Sequence, residues 1–126
     1  METFEQSVLP YIQSVTAKKA ENVVLLDLRG LTSYTDLLII ASAHSMRQVS
    51  AIGEHVRREL RKRLIKPLGV EGLREGEWVL LDYGHVIIHI FYEDVRKFFD
   101  LEGFWRDAKR LEFNEEPGSQ AIRSIR

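Results

Sequence analysis

The sequence contains no cysteine, which excludes disulfide bonds, a thiolate nucleophile and any metal site built on cysteine. It also has no apolar run that approaches the ~18 residues needed to cross a bilayer. The N-terminal METFEQSVLP carries two acidic side chains and no basic region, unlike a secretory signal or an arginine-rich transit peptide. With a formal net charge of -1, the chain has no overall attraction to nucleic acid or to an anionic membrane. We therefore expect a cytoplasmic protein that binds no membrane.

The 126 residues are 44% hydrophobic and 29% charged, a composition typical of one globular domain with a single core. Periodic apolar content ends near residue 113. The remaining residues include Pro117-Gly118-Ser119 and offer little to bury. The sequence thus predicts one domain over residues 1–113, followed by a mobile tail over residues 114–126.

The order of predicted helices and strands indicates the fold class. Apolar residues at spacings of three and four predict a helix over residues 3–20, started or kinked at Pro10. Short apolar runs at 23–28 and 37–43 predict two buried strands. Ser45 and Gln48 match a capping box before a helix, and residues 93–113 predict another, weakened at Gly103. Together they predict an α+β domain with a mixed sheet of four to five strands and helices packed mainly on one face.

Residues 71–92 predict a β-hairpin closed by a tight turn at Tyr83-Gly84. With a two-residue turn, Asp82 lies opposite His85 and Trp78 lies opposite His89. One face of the hairpin is almost purely aliphatic and is predicted to join the core. The other face mixes polar and apolar groups, namely Trp78, Leu80, Asp82, His85, Ile87, His89 and Phe91. This mixture is typical of a surface that binds another protein, or of a small active site.

Catalytic and metal-binding sites find little support in the residue spacing. His85 and His89 lie about 13 Å apart along a strand, too far to share one ion. A magnesium-dependent nucleotidyltransferase would need Asp27, Asp36 and Asp82 to converge, and the sequence has no glycine motif for phosphate. No G-x-S-x-G elbow supports a Ser-His-Asp site. We expect no metal, no cofactor and no enzymatic activity, with the nucleotidyltransferase as the alternative.

Two groups of side chains allow a structural or a functional interpretation. The helix after Ser45 carries basic residues on its outer side, including Arg47, Arg58, Arg61 and Lys62. A solvated face is favoured there over a nucleic-acid patch, because no aromatic residue is interleaved to stack on bases. The second group is Phe98, Phe99, Phe104 and Trp105. Core packing is favoured for these aromatic residues, with a second contact surface, such as a dimer interface, as the alternative.

Several short motifs occur together along the chain. They include VVLLDL at 23–28, TDLLIIA at 35–41, SMRQV at 45–49 and Ala51-Ile52. The most specific are WVLLDYG at 78–84 and HIF at 89–91, with Glu71-Gly72 before them and Leu101-Glu102 and Trp105 after them. This combination resembles the Iojap family, the ribosomal silencing factors RsfS, over about residues 5–110.

The resemblance implies a nucleotidyltransferase-like fold without the catalytic carboxylates, in a homodimer that is not an enzyme. It implies binding to the large ribosomal subunit through its protein L fourteen, which blocks joining of the small subunit and represses translation. No sequence-specific binding of nucleic acid is implied, and an assembly chaperone for the same ribosomal protein is a further alternative. The implied partner-binding residues are Trp78, Leu80, Asp82, Tyr83, His89, Glu71 and Phe91.

The charge around the hairpin suits such a partner. Five acidic residues cluster there, namely Glu71, Glu75, Glu77, Asp82 and Glu93, and ribosomal proteins are mostly basic. Trp78 is the predicted anchor of this surface. Two positions depart from the family pattern, since His85 replaces an acidic residue and Phe98-Phe99 stands where a tyrosine is common.

Overall fold

The computed structural model describes residues 1–114 and 121–125 of the chain. Four helices and seven strands lie within these residues. The helices are α1 (Phe4–Thr16), α2 (Met46–Lys62), α3 (Glu93–Phe99) and α4 (Leu101–Phe104). The strands are β1 (Glu21–Asp27), β2 (Leu37–Ala43), β3 (Gly69–Glu71), β4 (Trp78–Asp82), β5 (Val86–Tyr92), β6 (Lys109–Asn114) and β7 (Ala121–Ser124).

One mixed sheet contains all seven strands, in the order β3-β4-β5-β2-β1-β6-β7. β2 and β5 are parallel, and every other neighbouring pair is antiparallel. The predicted α+β class with a mixed sheet is confirmed, whereas the strand count of four to five is too low. The likeness to nucleotidyltransferases stays a prediction.

The two long helices begin at side-chain caps. Thr3 and Gln6 form a complete capping box before α1, and the helix continues through Pro10. At α2, the Ser45 hydroxyl accepts a hydrogen bond from the Gln48 backbone N–H at 3.1 Å. The predicted return bond from Gln48 to the Ser45 backbone is replaced by a contact between the two side chains at 3.4 Å. Ser45 therefore defines the start of α2 without a full capping box.

The sheet has an apolar layer on each face. On one face α1 and α2 pack against the aliphatic side of the hairpin, including Val79, Leu81 and Ile88. On the other face a smaller cluster, built around Ile87 and Phe91, packs against side chains from α3, α4 and the segment before β6. The long helices thus share one face as predicted, while short helices cover part of the second face.

The hairpin pairs two residues out of the predicted register. Trp78 lies opposite Phe91 and Leu80 lies opposite His89, because the turn is centred on Gly84 and His85. Gly84 has a φ of 89°, the left-handed value that a type II′ turn needs at its first central residue. A shift by two residues keeps the strand side chains on their predicted faces, since side chains alternate with a period of two. His85 lies in the turn instead, and its ring contacts Tyr11 of α1, so the prediction that it shares the face of Trp78 is wrong.

The C-terminal region differs most from expectation. The predicted helix over residues 93–113 is replaced by α3, α4 and the strand β6. Asp100 ends α3 in the left-handed conformation at φ 46°, and its carboxylate then accepts from the Gly103 N–H to cap α4. The segment predicted as a mobile tail contains β7, which pairs with β6. Residues 115–120 and 126 lie outside the described residues.

Candidate protein-binding surface

Trp78 lies at the start of β4 and is half-buried, so part of its indole reaches the molecular surface. The ring packs against Phe91 at 4.8 Å and Phe99 at 4.7 Å between centroids. The indole N–H donates to the Nδ1 atom of His89 at 2.9 Å. Packing and hydrogen bonding together hold the indole in one orientation, which lowers the entropy cost of using it as an anchor.

His89 supports this orientation from inside the protein. Its side chain is 5% exposed, and burial lowers its pKa to about 4. Because Nδ1 accepts the indole N–H, the neutral ring carries its own proton on Nε2. The histidine is therefore an uncharged acceptor at neutral pH, and the hydrogen bond with Trp78 is kept.

Three of the seven predicted partner-binding residues are buried. Phe91 is 0% exposed, His89 5% and Tyr83 7%. Phe91 belongs to the second apolar layer, and Tyr83 packs edge-on against Tyr11 beneath α1. The protein's own core covers these three side chains, so they offer little surface for direct contact, and their role in binding a partner stays a prediction. Their position instead shapes the surface above.

The other four predicted residues reach the surface. Glu71 is exposed at the end of β3, while Trp78, Leu80 and Asp82 on β4 are half-buried. The Asp82 carboxylate accepts from the Gly84 N–H at 2.8 Å, which fixes one of its oxygens at the turn. These four side chains define the hairpin surface.

Three phenylalanines for which the sequence favours core packing, with a contact surface as the alternative, are exposed in the structure. Phe98 is 81% exposed, Phe99 49% and Phe104 75%. Phe99 packs on Trp78, and Phe98 packs edge-on against Phe99 at 5.0 Å, so α3 extends the apolar part of the hairpin surface. Two adjacent phenylalanines on a short helix cannot both face the core, and that adjacency is the signal that could have revealed their exposure.

Arg96 attaches α3 to the sheet. Its buried guanidinium donates to the Ser42 hydroxyl at 3.0 Å and to the Glu102 carboxylate at 3.0 and 3.2 Å. At the start of the helix, His44 contacts Glu21 at 2.6 Å and Glu93 at 2.8 Å through its two ring nitrogens. Glu21 contributes most to raising the pKa of His44, which favours the imidazolium that can donate to both carboxylates. These contacts position Phe98 and Phe99.

Two of the three carboxylates that the enzymatic alternative requires, those of Asp27 and Asp82, form hydrogen bonds with residues close to them in sequence. Asp27 forms a bidentate pair with Arg29 at 3.0 and 2.9 Å. Burial opposes ionisation of Asp27, but the Arg29 hydrogen bonds outweigh it and lower the carboxyl pKa. Asp82 is bonded to its own turn. Over residues 1–114 and 121–125, no three histidine or carboxylate side chains are grouped to hold a metal ion. Within the part of the chain that the structure describes, the nucleotidyltransferase alternative therefore has no group of three such side chains for shared metal ions.

Charge is segregated along the sequence and between surfaces. Residues 69–102, which include the hairpin and α3, contain eight acidic and three basic side chains. Residues 46–66, which form α2 and its C-terminal turn, contain seven basic and two acidic ones. The hairpin surface is consequently acidic although the whole chain is nearly neutral. In the described part of the chain no helix is both long enough and apolar enough to cross a membrane.

Comparison with known proteins identifies the family. The family described as "Ribosomal silencing factor during starvation" (RsfS) matches residues 1–125. A protein named ribosomal silencing factor RsfS from Halalkalibacterium halodurans is 35% identical over 101 residues, covering 80% of this chain and 86% of its own length. A chloroplastic protein Iojap from Arabidopsis thaliana is 35% identical over 102 residues, covering 81% of this chain and 42% of its own.

Solved structures agree with this assignment. The crystal structure of protein CV0518 from Chromobacterium violaceum has a TM-score of 0.77 against this fold, with 30% sequence identity. The match covers 98% of both chains. Sequence and fold therefore show that this chain belongs to the RsfS family of ribosomal silencing factors.

Proposed function

We propose that this protein binds the large ribosomal subunit through its protein L fourteen, blocks joining of the small subunit and thereby represses translation. The observation that carries the proposal is the partly exposed Trp78, held in place by His89, on an acidic surface. Tryptophan anchors set in a polar surround are frequent hot spots of protein–protein interfaces. Membership of a family of ribosomal silencing factors supports the ribosome as the target.

The chemistry of the hairpin surface favours a basic partner. Glu71 lies opposite Leu80, two residues along β4 from Trp78, and Asp82 lies at the far end of the same strand. Carboxylates attract lysine and arginine side chains during encounter. Phe98 and Phe99 extend the apolar area beside the indole. A basic ribosomal protein with an apolar patch would complement both parts of this surface.

Repression by steric blocking needs no catalysis and no cofactor. A folded domain that occupies the docking face of one subunit excludes the other subunit for as long as it remains bound. The action is then governed by affinity and residence time, not by a turnover rate. We further propose that the protein acts in the cytoplasm and forms a homodimer when free.

Substitution of Trp78 tests the anchor. We expect Trp78→Ala to weaken binding to purified large subunits by about 2 kcal/mol, or about thirtyfold, in a co-sedimentation titration. Trp105→Ala is the matched control, since it removes another half-buried indole that packs on the second layer without contacting His89. Circular dichroism checks that both variants are folded. Equal affinities of wild type and folded Trp78→Ala would remove Trp78 as the anchor.

An order-of-addition experiment tests the blocking step. Light scattering follows the joining of small to large subunits after the protein is added first, last or not at all. We expect slower joining when the protein is added first, in proportion to the occupied large subunits. Joining at an unchanged rate on fully occupied large subunits would contradict the blocking mechanism.

A further inference from the structure

Five exposed cations lie in two groups on the side of the molecule formed by α1 and α2, and together they are named the basic stripe. Its members are Lys18, Lys19, Arg58, Arg61 and Lys62. Lys18 and Lys19 follow the end of α1, and the other three occupy the last two turns of α2. The stripe therefore combines two elements that are distant in sequence.

The packing of the helices brings these two elements together. Ala17, Lys18 and Lys19 line a groove with Gln48, Ala51 and Ile52 of α2. Pro10 of α1 lies near Arg63 at the other end of α2, so the helices are antiparallel. From Ala51 to Lys62 the helix rises about 16 Å, which is the length over which the stripe extends.

The pKa of His55 is affected by cations of both groups. Burial lowers its pKa, Glu59 opposes this effect, and the charges of Lys18, Arg58 and Lys62 lower it further. Cations from both elements thus act on the same ring.

Carboxylates neutralise little of the stripe. Glu59 pairs with Lys62 at 2.7 Å, and Glu54 pairs with Arg57 beside the stripe. No carboxylate of residues 1–114 and 121–125 forms an ion pair with Lys18, Lys19, Arg58 or Arg61. Arg58 and Arg61 are neighbours at a spacing of three residues, where like charges destabilise a helix. The helix dipole offsets this for Arg61 and Lys62 in the last turn, but Arg58 lies one turn earlier.

The surroundings of the stripe select the kind of ligand. The apolar side of α2 is buried in the core through Val49, Ile52, Val56 and Leu60, so it offers no face for insertion into a membrane. No phenylalanine, tyrosine or tryptophan is interleaved with the cations, and the Nε2 atom of His55 is buried, which disfavours stacking on unpaired bases. Phosphates along a double-helical RNA backbone match a row of exposed cations without stacking or base readout.

From this geometry we infer that the basic stripe binds the phosphate backbone of double-helical RNA, independently of sequence. The inference rests on the proposed function for its setting, since it assigns the ribosomal RNA of the large subunit as a second contact. The acidic hairpin surface would bind a basic ribosomal protein while the stripe contacts RNA. Charge segregation would then orient the protein on the subunit.

Fluorescence anisotropy with a short RNA duplex of unrelated sequence tests the stripe directly. The wild type should bind the duplex at low salt, with an affinity that falls as salt rises. Lys18→Gln combined with Arg58→Gln removes one cation from each element. We expect about tenfold weaker binding at low salt and a slope of log affinity against log salt that is lower by about two.

Arg106→Gln combined with Lys109→Gln is the matched control, because it removes two exposed cations outside the stripe and changes net charge equally. Equal salt slopes for the two double variants, or no duplex binding by the wild type, would overturn the inference. Stronger binding to phosphatidylglycerol vesicles than to RNA would also overturn it and reassign the stripe to a membrane.

Co-sedimentation of the same variants with large subunits separates this inference from the proposed function. If the wild type and the stripe variant bind large subunits with equal affinity at physiological salt, the RNA contact is refuted and the proposed function is unaffected. No binding by the wild type refutes the proposed function, while the RNA duplex still decides the nature of the stripe.

Discussion

At the scale of single residues, the pair formed by Trp78 and His89 connects the interior to the surface. The His89 imidazole is buried and neutral, and it accepts a hydrogen bond from the half-buried Trp78 indole. A protonated His89 would lose the lone pair that accepts the indole N–H and would carry a charge in an apolar layer. The orientation of the Trp78 indole therefore depends on the protonation state of a buried residue.

This dependence predicts a loss of stability in acid. The folded-state pKa of His89 is about 4 and lies below the ordinary value of 6.5, so the unfolded state binds more protons between these values. The contribution is complete above pH 6.5 and is lost as pH falls toward 4. From pH 7 to pH 5 we expect the free energy of unfolding to decrease by about 2 kcal/mol, measured by urea denaturation.

His89→Gln is the control, because a glutamine oxygen can accept the indole N–H but does not titrate in this range. The variant should lose most of the difference in stability between pH 7 and pH 5. If wild type and His89→Gln change equally with pH, another group is responsible for the dependence.

The pKa of the solvent-exposed His44 is shifted in the opposite direction to that of His89. Its folded-state pKa is raised by Glu21 first and by Glu93 as well, so any stabilisation is present at low pH and lost as pH rises through the raised value. We expect NMR titration to give a pKa above 6.5 that decreases in Glu21→Gln. A pKa that is unchanged by this substitution would show that the ring does not contact Glu21 in solution.

At the scale of elements, the connection between β3 and β4 fixes the position of Trp78 at the start of β4. Gly72 has a φ of 80°, and a Cβ built there would lie 1.9 Å from the carbonyl oxygen of Trp78. Neither the conformation nor the space permits another residue without moving the backbone of β4. The Glu71-Gly72 pair seen in the sequence motif thus has a structural explanation in the close approach of two backbone segments.

Substitution of Gly72 should therefore damage both stability and the hairpin surface. We expect Gly72→Ala to lower the free energy of unfolding by about 2 kcal/mol or more. Gly69→Ala, three residues earlier in the chain, is the matched control, since a Cβ at Gly69 meets nothing within 4 Å. It should change stability by less than about 0.5 kcal/mol in the same urea titration. Similar losses in both variants would argue against backbone crowding as the cause.

At the scale of the whole molecule, exposed aromatic rings remain after the chain has folded. Phe104 is 75% exposed and packs edge-on against Trp105 at the end of α4. An exposed ring of this size is costly to leave in water, and its burial against a second copy would recover about 2 kcal/mol. The proposed homodimer gives such a residue a role that the single chain does not.

Sedimentation velocity over a range of concentrations tests this role. We expect Phe104→Ser to shift the protein toward the monomer, while Leu68→Ser, which removes another exposed apolar side chain at 79% exposure, does not. An unchanged distribution in Phe104→Ser would place any dimer interface elsewhere.

Local pattern was sufficient for much of the fold. The strand at Leu37–Ala43, the helix after Ser45 and the two faces of the hairpin follow from short apolar runs, a cap and alternation. The predicted faces of the two strands are correct although the predicted register is shifted by two residues, because alternation depends only on odd or even spacing. The mixed character of the Trp78 face was equally readable, since it depends on residue type.

The sequence by itself determined which side chains share a face, where the charges accumulate and which family the motifs resemble, because these follow from order and spacing along the chain. Only the tertiary structure decided that Phe91 and Tyr83 are covered while Phe98 is bare, because burial depends on which distant elements pack above a residue. Residues 109–114 form a strand because they pair with the edge of β1, and local propensity does not indicate such a long-range interaction.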